Sequence, residues 1–505
     1  MYLGLDCSTQ SLTATIINPD SGAVEFQESV HFETELPDYK THHGFVRGTE
    51  PDEFFSDPLM WVEALDLLLE KMRKEKAPFA EVTAIAGSAQ QHATVYLNHQ
   101  FEKTLSTLNP DLPLVDQLRD CFTRPVSPIW LDASTTVECE EITAAIGSNQ
   151  KAMKRSGSAV TPRFSASQIR KHWKQFPGHW ENTFKVHLAS SFLCSILVGH
   201  SANIDYADGA GMNLMHITRR SWDPKLADAT APGTLKRLPG LSSTTDIAGT
   251  ISPFFSQKFG FPSDCKCAHW TGDNCSSLVG MGIISPGDWV ISLGTSYTLF
   301  SATQTPFTDP QGYGHIFGNP LGNYLSLSCF KNGALACIAL KQELGISWDD
   351  FDRELLVPRT SESPVTLPFY DTEITPRARK VNQSHTTAQS LVDGQFLNMR
   401  HHTLWHGKYP ESIVVTGGIS QSDGVCQTLA NIFQRPVKRL YSHASAALGA
   451  AMIAAVADGH PIEQLVDDFC KSKQRAAITP NPQTEAIYKA LGEKFTELLY
   501  NMSKK

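Results

Sequence analysis

No stretch of this chain reaches the ~18–20 consecutive apolar residues that a membrane-spanning helix requires. The longest candidate, the alanine-rich run 446–457, contains Gly449 and is ended by Asp458. Positive charge is not in surplus either: 43 Lys and Arg against 52 Asp and Glu give a formal charge of −9. No basic block or stripe offsets that balance, so neither a dedicated nucleic-acid binder nor a protein of anionic membranes is expected. Low-complexity sequence is absent, and Met1 to Leu5 form a β-like apolar run without the basic and long apolar regions of an export signal. The eleven cysteines are odd in number and scattered from Cys7 to Cys470. Reduced, buried thiols in a cytoplasmic protein are therefore expected. The one local group, Cys265-x-Cys267 with Cys275 nearby, lacks the C-x2-C repeat and His partners of a zinc site. Also missing are G-x4-G-K-[ST], a complete G-x-G-x-x-G, H-E-x-x-H and G-x-S-x-G, which removes P-loop, Rossmann, zincin and α/β-hydrolase readings.

What is present is ordinary globular material: 505 residues, 41% hydrophobic and 19% charged, enough for two large domains or three of common size. Strand-type runs such as 82–86 and 413–416 alternate with helical ones, among them 59–73, where Trp61, Leu65, Leu68, Leu69 and Met72 recur every three to four residues. The class is α/β. A pattern also repeats. Tyr2 to Leu5 breaks at Asp6-Cys7-Ser8-Thr9-Gln10 and resumes at Leu12; Asp288 to Leu293 breaks at Gly294-Thr295-Ser296 and resumes at Tyr297. Each reads as strand, tight turn, strand, with Thr9 and Thr295 at matching places, which suggests two related halves. The Pro286-Gly287 turn before the second hairpin puts a domain boundary near residue 285. Two proline-containing polar stretches, roughly 105–128 and 360–384, read as long surface loops.

Five segments can carry chemistry. In the first turn a carboxylate at a strand end, Asp6, could hold a metal ion while Ser8, Thr9 and the turn's N–H groups meet phosphate oxygens; D-x-S-T is equally a self-bonded turn. Gly294-Thr295 could grip phosphate in the same way, or be only a hairpin. Gly87 to His92 ends a strand with two amides and an imidazole, Gln90, Gln91 and His92, suited to reading hydroxyl groups. Asp273, in Thr271-Gly272-Asp273-Asn274, stands at a strand-to-helix junction, where it can be a helix N-cap or a catalytic base. Finally, Gly417 and Gly418 follow a strand and precede a helical run from about residue 424 to 433, so that a flat ring could lie against the main chain there.

In this order and at these distances, the segments resemble the FGGY family of carbohydrate kinases, a branch of the actin, hexokinase and Hsp70 superfamily, over nearly the whole chain. The likeness is greatest to the eukaryotic, xylulose-phosphorylating members, through Met60-Trp61-Val62-Glu63, Ser127-Pro128-Ile129-Trp130-Leu131-Asp132, Gly211-Met212-Asn213-Leu214 and Phe330-Lys331-Asn332-Gly333 among others. The resemblance implies two actin-like, ribonuclease-H-like domains, 1–285 and 286–505, with a catalytic cleft between them. It implies transfer of phosphate from ATP to the 5-hydroxyl of D-xylulose, with Mg2+ held near Asp6. Asp273 is the implied general base, and His92, Gln91, Arg163, Asp273 and Asn274 the implied sugar contacts. For ATP it implies Ser8, Thr9, Gln10, Gly294, Thr295, Trp348, Gly417, Gly418, Gln421 and Ser422.

Two departures are visible. Arg170 stands where many bacterial members carry Lys, and Tyr370 to Pro376 replaces their Gly-Glu-Arg-Thr-Pro-like segment. Another polyol or ketose substrate (ribulose, glycerol, fuculose) and a non-catalytic sugar or nucleotide sensor are the alternatives. Expected partners are the small sugar and ATP, with no nucleic acid and no membrane, and the chain a monomer or homodimer in the cytoplasm.

Overall fold

The computed structural model describes residues 1–381, 386–440, 444–470 and 477–504. Two compact units form. One comprises Met1–Gly282, Ile316–Tyr324 and His443–Ser472; the other comprises Ile283–His315, Leu325–Ser442 and Lys473–Lys505. The chain thus leaves its first unit near the expected position but returns to it twice, so neither unit is one continuous stretch.

The first unit is built on a seven-stranded sheet: β1 (Tyr2–Cys7), β2 (Ser11–Asn18), β3 (Ala23–His31), β4 (Ala84–Ala89), β5 (Ile247–Thr250), β6 (Lys266–Ala268) and β7 (Thr271–Gly272). The order is β5-β6-β4-β1-β2-β3, with β7 also paired to β4. β1 runs antiparallel to β2 and parallel to β4, which sets Asp6 opposite Thr13 on one side and Ser88 on the other. Every residue of β1 and β4 is buried, as expected of central strands covered on both faces. Helix α1 (Pro58–Lys74) begins with Asp57 accepting from the Leu59 N–H at 2.8 Å and Pro58 at the first position, and carries Lys71, Arg73 and Lys74 in its last turn. Its periodic side chains Trp61, Leu65, Leu68, Leu69 and Met72 all enter the core.

The second unit repeats the plan. Its sheet contains β8 (Trp289–Leu293), β9 (Tyr297–Thr303), β10 (Tyr324–Phe330), β11 (Ile413–Thr416) and β12 (Val437–Arg439), in the order β10-β9-β8-β11-β12. Here too the first strand is antiparallel to its hairpin partner and parallel to a later strand that ends in a functional-looking turn, β8 with β9 and β11. The matched hairpins read from sequence therefore lie inside two sheets with the same local topology. The stretch 105–128 carries a short helix, Leu114–Leu118, and 360–381 only the two-residue strands Glu373–Ile374 and Arg377–Ala378; residues 382–384 of that second loop lie outside the described residues.

The alanine-rich run forms helix α3 (Ser445–Ala457), buried without interruption from Ala446 to Ala455. It packs on β1 and on helix α2 (Asp273–Gly280) at backbone contact. A Cβ on Gly449 would collide with the Ser276 carbonyl, and one on Gly280 with the Ser445 carbonyl. Ser276 Oγ donates to the Ala446 carbonyl at 2.7 Å across the same seam. Small residues here are a requirement of interhelical distance. None of the eleven cysteines is in a disulfide, and all but the half-buried Cys329 are buried.

Candidate active site

In the first unit the end of β1 and the turns after β4 and β7 gather the polar groups. Asp6 is 6% exposed. Its carboxylate accepts from Ser88 Oγ at 2.7 Å and from Ser8 Oγ. Burial holds its pKa above the usual carboxylate value, against the pull of both hydroxyls. Thr9 Oγ1 accepts from the indole N–H of Trp130 at 2.9 Å, although Trp130 remains 40% exposed. Gln10 is exposed.

Asp273 is the first residue of α2. The N-cap is Gly272, which has no side-chain cap bond, so the capping alternative for Asp273 is not what forms. Instead its Oδ1 accepts from the Asn274 N–H at 2.8 Å and from Asn274 Nδ2 at 3.2 Å. Removal from water, then the neighbouring Asp6 charge, push its pKa up to about 7, although the N–H groups of Asn274 and Gln91 pull the other way. Asn274 Nδ2 also donates to Gln91 Oε1 at 3.0 Å, which ties the turn after β4 to the start of α2. His92 is held by a bond from Nδ1 to the Gly211 carbonyl at 2.9 Å. A carbonyl can only accept, so Nδ1 carries the proton. The ring stacks on Phe164 at 4.3 Å, and the backbone adopts φ 70, a left-handed conformation that a non-glycine residue keeps only where its surroundings enforce it. Phe164 follows Arg163, so that loop too is brought to His92. The first unit therefore collects Asp6, Ser8, Gln91, His92, Asp273 and Asn274 into one polar group.

The second unit holds a cleft of about 750 Å³ lined by Gly294, Thr295, Trp348, Gly418, Gln421 and Ser422, together with Leu335, Ile338 and Asp352. Trp348 is 45% exposed and meets Phe351 edge-on at 5.5 Å, with Lys341 Nζ 5.5 Å above its ring. Gly417 supports the cleft from behind. Its φ is +93, and a Cβ there would lie 2.6 Å from the Leu293 carbonyl. The Ser422 hydroxyl is occupied locally, accepting from the Val425 N–H at 3.0 Å as a helix cap and donating to Asp352. Sequence reading missed Leu335 and Ile338. Both lie on the outward face of the helix Ala334–Leu344, 55% and 38% exposed. Their signal was an apolar pair at i, i+3 opposite the buried Ala336, Cys337 and Leu340.

The N-terminal-domain model of the FGGY family of carbohydrate kinases matches residues 116–280, and its C-terminal-domain model matches residues 289–457. The xylulose kinase of Rattus norvegicus is 35% identical over 98% of this chain and 96% of that protein. This chain belongs to the FGGY family. Xylulose kinase 2 of Arabidopsis thaliana is 36% identical over 90% of this chain and 87% of its own length. Among solved structures, the xylulose kinase from Rhodospirillum rubrum superposes with a TM-score of 0.85, covering 100% of this chain and 99% of that one at 20% identity. The fold is accordingly the two-domain FGGY kinase fold of the actin-like superfamily, and the protein is a carbohydrate kinase.

Proposed function

We propose that this FGGY kinase transfers the γ-phosphoryl group of ATP to the 5-hydroxyl of D-xylulose. The observation that carries the chemistry is Asp273: a carboxylate with a pKa near 7, fixed at a helix start beside Gln91 and Asn274. A sugar hydroxyl is a weak nucleophile, and a base matched to neutral pH assists most. In the proposed step Asp273 accepts the hydroxyl proton as the oxygen–phosphorus bond forms, the bond from the γ-phosphorus to the β,γ-bridging oxygen breaks, and ADP leaves. The proton on Asp273 then passes to water. His92, Gln91, Arg163 and Asn274 fix the keto and hydroxyl groups, so that a single oxygen is presented.

The nucleotide reading rests on the second-unit cleft, where Trp348, Leu335 and Ile338 offer apolar surface to a purine while Gly418 leaves the backbone bare and Gly417 supports it from behind. Gly294 and Thr295 serve its phosphates; Ser8, Thr9 and Gln10 carry a phosphate role by family resemblance. Asp6 suits Mg2+, which takes one or two carboxylates and completes its shell with phosphates and water. Its orientation is already set by Ser8 and Ser88. Bound there, the ion would neutralise charge on the phosphates. Reduced thiols suit a cytoplasmic location.

The test is coupled ADP release with MgATP and D-xylulose, L-xylulose, D-ribulose, L-ribulose, glycerol and L-fuculose. Saturable preference for D-xylulose supports the reading. Activity confined to another member keeps the mechanism and replaces the substrate, and no sugar-dependent release abandons both.

A further inference from the structure

A second cavity of the second unit, of about 790 Å³, shares no lining residue with the cleft described above. Its wall carries Arg377, Arg379, Lys380, His401 and His402, with Tyr313, Tyr500 and Thr496 among its other residues, and no Asp or Glu is among its described lining residues. In a chain of net charge −9 that concentration of one sign is unusual. The carboxylates that precede the stretch 377–380 are turned elsewhere. Glu373 is buried and accepts from the N–H groups of Lys331 at 2.7 Å, Asn332 at 3.1 Å and Ile374 at 2.7 Å, and Asp371 pairs with Lys331 at 2.8 Å. Arg377, Arg379 and Lys380 are exposed, and none of them makes an ion pair among the described residues.

Behind these cations stands His402, 6% exposed. Its Nδ1 bonds Gln311 Oε1 at 2.8 Å, and its Nε2 is buried with no hydrogen-bond partner among the described residues. A buried polar nitrogen without a partner is costly and calls for one. Its ring meets Tyr313 edge-on at 6.0 Å, joining the polar wall to the aromatic one.

We propose that this cavity binds a phosphate monoester of a small polyhydroxy metabolite, the phosphoryl dianion on Arg377, Arg379 and Lys380 and the body against Tyr313 and Tyr500. Guanidinium groups recognise phosphate by paired, charge-assisted bonds, and the volume is that of a metabolite site. An extended polyanion is disfavoured by the acidic remainder of the protein. A sugar phosphate and free inorganic phosphate share the headgroup but not the body, and the test separates them.

Full-length protein is titrated calorimetrically with D-ribose 5-phosphate, inorganic phosphate and D-ribose, with saturating ATP present, and the contact is located by hydrogen exchange. The expected result is binding of ribose 5-phosphate in preference to inorganic phosphate, no binding of ribose, and slowed exchange in peptides spanning 376–381 and 496–502. Arg377→Ala/Arg379→Ala should weaken binding about tenfold or more while leaving thermal midpoint and turnover unchanged, since both side chains are exposed. Asp273→Asn should bind as the wild type does. Unchanged affinity in the double variant, protection confined to other peptides, or no binding by the wild-type protein overturns the proposal. Equal affinity for inorganic phosphate overturns recognition of the metabolite body.

Discussion

Asp273 sits where two requirements conflict. As the proposed general base it must be charged, whereas its surroundings resist that form through burial and the Asp6 carboxylate. Replacing it with Ala should leave the fold intact and lower kcat by roughly 10² to 10⁴. In the wild-type protein kcat/KM should fall about tenfold per pH unit on the acid side of pH 7, where the base is protonated. The same group predicts an opposite trend in stability. A pKa raised from 3.8 to about 7 means that the native state holds a proton the unfolded chain has lost, so stability declines as pH rises through that window. Asp273→Asn should therefore raise the thermal midpoint relative to wild type at pH 8 and show little difference at pH 4, and a gap that does not widen with pH would remove the buried-charge account. Trp348 acts on the other substrate. With its half-exposed ring removed in Trp348→Ala, KM for ATP should rise about tenfold, the scale of a lost aromatic stacking contact, while KM for the sugar stays within twofold. An equal rise in both constants would place the ring elsewhere in the reaction. Sequence alone left Asp273 divided between cap and base because the two roles differ by one residue of helix register. Gly272 at the cap position removes the first of these roles.

Elements were more legible than their partners. The hairpins around Asp6 and Gly294, the strand Ile413–Thr416 and the amphipathic helix Pro58–Lys74 each advertise themselves by local periodicity and turn chemistry. Helix Ser445–Ala457 does not, since a helix apolar all round says only that it is buried, not against what. Its position is set by absence of side chain. Gly449 and Gly280 let α3 and α2 touch at the backbone, and α2 begins with Asp273. A change at this seam should therefore be felt in the site. Gly449→Val places a branched side chain where even a Cβ collides with the Ser276 carbonyl, and should cost about 3 kcal/mol, the upper range for overpacking. The expected readout is a lowered first unfolding transition together with a kcat deficit larger than any change in ATP affinity. A fully stable, fully active Gly449→Val protein would mean that the helices separate freely, contrary to this packing. The outward pair Leu335 and Ile338 was equally visible as a pattern, but only the structure shows that they line a cleft with Trp348.

At the scale of the whole molecule, the two units are interleaved along the chain, and that has a consequence for how either can exist alone. A boundary near residue 285 follows from a real turn, yet the first unit also takes residues 443–472, including all of α3. Local sequence signals cannot reveal such a return, because the contacts that define it join positions hundreds of residues apart. β1 and α2 are both inside a fragment of residues 1–285, but that fragment lacks the helix buried against them. The fragment exposes the apolar faces that Ala447, Leu448, Ala451 and Met452 otherwise cover, each at most 3% exposed in the complete chain. Uncovered apolar area of that kind favours aggregation or a loosely packed state over a cooperative native one. Fragment 1–285 should therefore be insoluble, or bind a hydrophobic dye and melt without a sharp transition. A second fragment, in which residues 1–282 are joined through a flexible linker to residues 444–470, should recover solubility and a cooperative melt. If 1–285 melts as sharply as the joined fragment, α3 is an accessory to the first unit. If only the joined fragment does, residues 444–470 are as much a part of the Asp273 unit as the strands of its own sheet.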